Sequence, residues 1–102
     1  MLTHTVLFRL HRPVDAVVKE RFLGAVRAFG ENPPFGLGPA TVELDAGLRP
    51  EEGRSTVEAS MTVQFPDADA FASYLAHPAH VDLVEKVLAP SCESWLSIQV
   101  ES

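Results

Sequence analysis

The sequence holds one cysteine, Cys92, so no intrachain disulfide can brace the fold. That usage fits a reducing, cytoplasmic setting. Basic residues are also scarce: 8 Lys and Arg stand against 14 Asp and Glu, for a net charge of −6. Nucleic acid requires a clustered basic surface and anionic membranes a polybasic patch, so neither is an expected partner. No apolar run approaches the ~20 residues that a membrane span needs. The opening MLTHTVLFRL lacks a basic leader, and His4 and Arg9 interrupt its apolar stretch, so it does not read as a signal peptide. A phosphate loop is missing too, because GLGPA (36–40) has neither the lysine nor the third glycine. Ser91, Cys92 and Ser94 have no neighbouring base, which argues against a nucleophile there.

What remains is a chain of 102 residues, the length of one domain (1–102), with no internal repeat. Its hydrophobic share, 46%, is high for so short a chain and predicts apolar surface that a second copy covers. Residues 2–11 alternate as a strand, with Leu2, His4, Val6, Phe8 and Leu10 on one face and Thr3, Thr5, Leu7, Arg9 and His11 on the other. Pro13 opens a helical stretch in which Val14, Val18, Phe22, Ala25, Val26 and Phe29 recur at helical spacing, and Gly30 is placed as its C-terminal glycine. Residues 30–40 form a Gly/Pro loop and 40–45 a short strand. A polar connection follows at 46–54, with Glu51 and Glu52 as solvated loop residues. Residues 55–65 alternate as a half-buried strand. Asp67 caps a helix with Phe71, Tyr74 and Leu75 on one stripe; Pro78 ends or bends it. A second short helix carries His80, Leu83, Val84 and Val87, Pro90 stops it, and 93–101 alternate as a last strand. The order β-α-β-β-α-(α)-β is the ferredoxin-like split βαβ order, an α+β fold. It predicts a four-stranded antiparallel sheet with helices on one face.

Histidines carry the chemistry. His4 interrupts an apolar strand face, and His80 interrupts an apolar helix stripe. If both point into the sheet–helix layer, they meet there, and Tyr74 reaches the same space. Imidazole accepts and returns protons near neutral pH, a second imidazole can fix the tautomer of the first, and a tyrosine hydroxyl can donate to a developing oxyanion. The competing reading is structural: buried histidines commonly satisfy each other or a backbone group. His11 reads as solvated, and His77, before Pro78, as a capping or packing residue. His77, His80 and His4 do not make a metal set, because Pro78 breaks regular geometry and no cysteine or carboxylate joins them at ligand spacing.

HTVLFRL (4–10), MTVQFPDADAFASYLAHPAHV (61–81) and LSIQV (96–100) resemble the stress-responsive A/B-barrel (Dabb) family over essentially the whole chain. YLAHPAHV is the specific part; residues 30–54 match only in character. The resemblance implies a homodimer in which two sheets pack face to face as a dimeric α+β barrel. A plant member, olivetolic acid cyclase, closes a linear polyketide by intramolecular aldol condensation without cofactor or metal. Its motif matches at His4, Tyr74, His77 and His80. By that match His80 is the general base, Tyr74 holds a substrate oxygen, His4 supports His80, and His77 joins Tyr74 in substrate binding. No cofactor is expected, and the implied ligand is small and apolar or polyketide-like. Two alternatives stand beside this: a non-enzymatic ligand-binding or stress-associated accessory barrel, and a monooxygenase-like barrel enzyme, the latter by analogy of fold.

Overall fold

The computed structural model describes residues 1–49 and 56–102. Glu51, Glu52, most of the expected connection and the first residue of the expected 55–65 strand lie outside them. Strand β1 (Leu2–Leu10) leads to helix α1 (Ala16–Gly30), then to strands β2 (Thr41–Leu44) and β3 (Ala59–Phe65). Helices α2 (Ala68–Ala76) and α3 (Pro78–Leu83) follow, then a π turn (Val84–Leu88), a last helical turn α4 (Ala89–Ser91) and strand β4 (Cys92–Glu101). The sheet is antiparallel in the order β2-β3-β1-β4, with its helices on one face. This is the ferredoxin-like arrangement that the element order predicts. Among the described residues, no helix is long and apolar enough to cross a membrane.

Strict alternation in β1 and β3 buries every second side chain. Leu2, His4, Val6, Phe8 and Leu10 of β1, and Ala59, Met61, Val63 and Phe65 of β3, all lie under the helices. Against them α1 packs Phe22, Leu23 and Val26. Paired strand residues share a face, so the β1–β4 register places Trp95, Ser97 and Gln99 on the helix side, opposite Phe8, Val6 and His4. The apolar set of β4 points the other way. Leu96, Ile98 and Val100 are 69%, 61% and 50% exposed on the open face, beside Leu7. There the Thr5 and Thr62 hydroxyls bridge β1 and β3 at 3.2 Å.

Proline and glycine serve other purposes than the spacing predicts. Helix α1 starts at Ala16, not Pro13: Asp15 is its N-cap and accepts from the Val17 and Val18 amides at 2.8 and 3.0 Å. Gly30 lies inside the helix, because the following residue, Glu31, stays right-handed. Its role is close approach: a Cβ there would stand 3.2 Å from the Ala40 Cβ of the chain entering β2. Pro90 lies in the last turn of the right-handed run that continues from the π turn through α4; that run ends one residue later at Ser91, and the strand begins directly at Cys92.

Glu58 is a residue that alternation misplaces. The periodic pattern puts it on the polar face with Ser60 and Thr62, yet it is buried. Its carboxylate pairs with Arg12 and accepts from the Leu10 amide at 3.0 Å. It thereby satisfies the chain where β1 ends.

Candidate functional site

Two successive caps set the geometry of YLAHPAH. Asp67 accepts from the Ala70 amide at 2.8 Å and starts α2, which turns Tyr74 inward. The helix ends at Ala76. His77 then caps α3, its Nδ1 accepting from the Ala79 amide at 3.0 Å, with Pro78 in the first turn. An amide N–H can only donate, so His77 carries its proton on Nε2. The restart at Pro78 brings His80 back over the end of α2. Its Nδ1 lies 3.1 Å from the Leu75 carbonyl oxygen. A carbonyl can only accept, so Nδ1 is protonated and the Nε2 lone pair is free.

His4, Tyr74 and His80 line one cavity of about 130 Å³ between the sheet and the α3–π segment. The Tyr74 and His80 rings are 4.6 Å apart between centroids, and those of His4 and Tyr74 5.9 Å. Val6, Phe8, Met61 and Leu88 make apolar walls, while Trp95 and Ser97 contribute from β4. Leu75 and Trp95, 43% and 38% exposed, carry the cavity out to the surface. His77 is not part of its lining; it stands outside, edge-on to Phe35 at 6.0 Å. His11 is exposed at the far end of β1.

Each polar group in the cavity has a defined character. Tyr74 is 1% exposed and ringed by Phe29, Phe65 and Phe71, with centroids at 5.9, 4.9 and 6.1 Å. Burial pushes its phenol well above the ordinary range, so the hydroxyl keeps its proton. Among the described residues this hydroxyl meets no hydrogen-bond partner, yet no sealed side-chain polar atom lacks one. The oxygen therefore opens onto the cavity. His4 receives a bond of 2.9 Å at Nδ1 from the Gln99 amide nitrogen, which can only donate. That leaves His4 with Nε2–H, a donor. Gln99 also donates to Ser97 Oγ at 3.0 Å. Burial, and secondarily the His80 imidazole, hold His4 down to about 4, so it is neutral at pH 7. Burial lowers His80 as well, against the opposing pull of its bond to Leu75. The site thus offers two donors, Tyr74 and His4, and one acceptor, His80.

The structure brings together three of the four residues singled out in the sequence. It also adds Gln99, Trp95 and Ser97. These lie on the polar half of an alternating strand, and the register with His4 is the signal that could have found them. The expectation that His4 orients His80 meets a different arrangement: a backbone carbonyl sets the His80 tautomer, and Gln99 sets that of His4. Cys92 is buried, and burial together with the Glu58 carboxylate pushes its thiol up to about 12, far from a nucleophile's range. A larger recess of about 650 Å³ touches none of the three site residues. Of the four cations in its lining, Arg9 and Arg12 pair with Glu93 and Glu58, and Lys19 and Arg49 stand beside them.

Fold and cavity together define a ferredoxin-like α+β protein with a neutral His–Tyr–His cluster between sheet and helices. The chain belongs to the stress responsive A/B barrel domain (Dabb) family, whose model matches residues 2–102. It is similar to a Dabb family protein with a ferredoxin-like fold from Mesorhizobium loti, at 21% identity and a TM-score of 0.79, over 99% of this chain and 95% of that one. A dimeric protein of unknown function and ferredoxin-like fold from Bacteroides fragilis is 25% identical, with a TM-score of 0.75 and the same coverages, 99% and 95%. Hydroxynitrile lyase from Passiflora edulis shares the fold at 13% identity and a TM-score of 0.74, over 97% of this chain and 90% of that one. None of the curated proteins matches this chain.

Proposed function

We propose that this chain is a homodimeric A/B-barrel protein whose sheet–helix cavity performs cofactor-free acid–base chemistry on a carbonyl compound. The observation that carries the reading is the free Nε2 lone pair of His80, facing a cavity it shares with two neutral oxygen-binding donors. His80 Nε2 takes a proton from the carbon beside a carbonyl. The C–H electron pair becomes an enolate, whose oxygen is held by the Tyr74 hydroxyl and His4 Nε2–H. The enolate carbon can then form a bond to a second carbonyl carbon in the same molecule. The resulting alkoxide recovers the proton from His80, so nothing is oxidised or reduced. This is the class of step that olivetolic acid cyclase carries out, and the shared positions His4, Tyr74 and His80 support the analogy. His77, engaged at the helix start, acts in it by positioning α3.

Partnering follows from the open sheet face. Leu7, Leu96, Ile98 and Val100 form an apolar strip there that a second copy covers, and the dimeric state of the Bacteroides fragilis protein supports this. The unpaired, buried Cys92 supports a reducing, cytoplasmic setting.

The largely apolar walls favour a second reading, in which the barrel binds a small ligand without turnover. One experiment separates the two. Cyclohexanone is incubated with the protein in heavy water, and deuterium uptake beside the carbonyl is followed by NMR. Catalysed uptake that disappears in a folded His80→Ala variant is the expected result. Uptake no faster than with the same concentration of free imidazole would leave the binding role in its place. The cavity is far too small for a heme, which argues against the heme-dependent form of the monooxygenase-like alternative.

A further inference from the structure

The walls and polar groups of the cavity also limit what can enter it, an inference that rests on the reading of this cavity as the site. We infer that its ligand is a neutral, oxygen-bearing molecule no larger than a single six-membered ring, such as a phenol or a cyclic ketone.

Size is the first argument. A volume of about 130 Å³ is close to that of the ~150 Å³ engineered apolar cavity that binds benzene. A long polyketide chain exceeds it, so the ligand class is smaller than the cyclase analogy alone implies. Charge is the second argument. No Lys or Arg is among the lining residues. Both imidazoles are neutral near pH 7, because burial disfavours their charged forms. A carboxylate would be buried there without a counter-charge, which is costly. Hydrogen-bond polarity is the third. Tyr74 and His4 donate and His80 accepts. A ketone oxygen accepts from both donors, while a phenol hydroxyl donates to His80 and accepts from Tyr74. A hydrocarbon would leave all three polar groups unpaired.

The protein contains one tryptophan, and Trp95 lies in the cavity wall. Its indole N–H signal therefore reports occupancy. The isotopically labelled full chain is titrated with phenol, cyclohexanone, benzoate and naphthol. Phenol and cyclohexanone are expected to shift that signal saturably. Benzoate should bind at least about ten-fold more weakly than phenol, and naphthol should give no saturable shift. Ser97→Phe, which fills the cavity from β4, should abolish phenol binding while the protein stays folded. The inference is overturned if benzoate or naphthol binds as tightly as phenol, if neither small ligand binds, or if phenol binding survives in Ser97→Phe. Failures of the two readings look different. Phenol binding without deuterium uptake sinks the acid–base proposal and leaves this inference standing. Catalysed uptake by a bulkier or anionic ketone does the reverse.

Discussion

Replacing Tyr74 with phenylalanine separates a structural tyrosine from a functional one. The ring packs among Phe29, Phe65 and Phe71 and is 1% exposed. Its packing is unchanged in Tyr74→Phe. The hydroxyl has no hydrogen-bond partner among the described residues. Deleting a hydroxyl bonded to protein costs about 0.5–1.5 kcal/mol, but here no such bond is lost. The expected change in stability is therefore within about 0.5 kcal/mol, or at most ~4 °C in Tm for a chain of this size. Tyr74→Ala, by contrast, empties the aromatic cluster and should cost about 3–5 kcal/mol. Urea denaturation followed by circular dichroism, at one fixed protein concentration because a dimer's stability depends on it, measures both. Catalysis should respond strongly even to Tyr74→Phe, which barely moves stability. Losing one preorganised donor to an enolate oxygen should slow deuterium uptake by about 10²–10³-fold in Tyr74→Phe. A loss of more than about 1 kcal/mol in Tyr74→Phe would refute the claim that the hydroxyl is free for a ligand. Unchanged uptake in the same variant would refute its role as an oxygen donor.

His4 predicts a pH dependence of stability. Its folded pKa is about 4 against 6.5 unfolded, so the unfolded chain binds more protons in that window, and stability present above pH 6.5 is lost as pH falls toward 4. The loss attributable to this residue should be about 1–2 kcal/mol after allowance for solvent screening, and a pH series of urea midpoints should show it shrinking in His4→Gln. Glu58→Gln leaves Arg12 without its buried carboxylate and should destabilise the protein by about 2–4 kcal/mol in the same assay; a change under ~1 kcal/mol would mean that the pair is not coupled. Ile98→Asp on the open sheet face should yield an 11.1 kDa species in sedimentation with its secondary structure intact. A wild-type chain that already sediments at that mass would sink the dimer.

Much of the fold is written in local pattern. Alternation in β1 and β3 is legible because each strand packs one face against helices, and burial then repeats every second residue. Asp67 announces α2 because its side chain satisfies a backbone donor within the same turn. Capping by His77 is legible for the same reason: its partner, Ala79, is two residues away. Punctuation by proline and glycine was less reliable. Pro13, Gly30 and Pro90 obey their local constraints, but each sits one to three residues from the boundary that its type predicts.

The sequence by itself determined the element order, Phe22 and Val26 of α1 and Phe71 and Tyr74 of α2 as inward residues, and the residues of YLAHPAH that point toward the sheet; Val18 and Leu75, expected on the same stripes, are 39% and 43% exposed. Those properties depend on neighbours within a few positions along the chain. Only the tertiary structure decided which face of β4 lines the cavity. Leu96, Ile98 and Val100 are the apolar half of that strand, yet they face outward, because pairing with β1 puts Gln99 beside His4. Alternation defines two faces without saying which is covered. The long-range register also decided the chemistry of the histidines. Which imidazole nitrogen holds a proton depends on Leu75 across a helix break and on Gln99, 95 positions from His4. A hydrogen-bond partner that distant leaves no periodic trace in the sequence, and it is what makes His4 a donor and His80 a base.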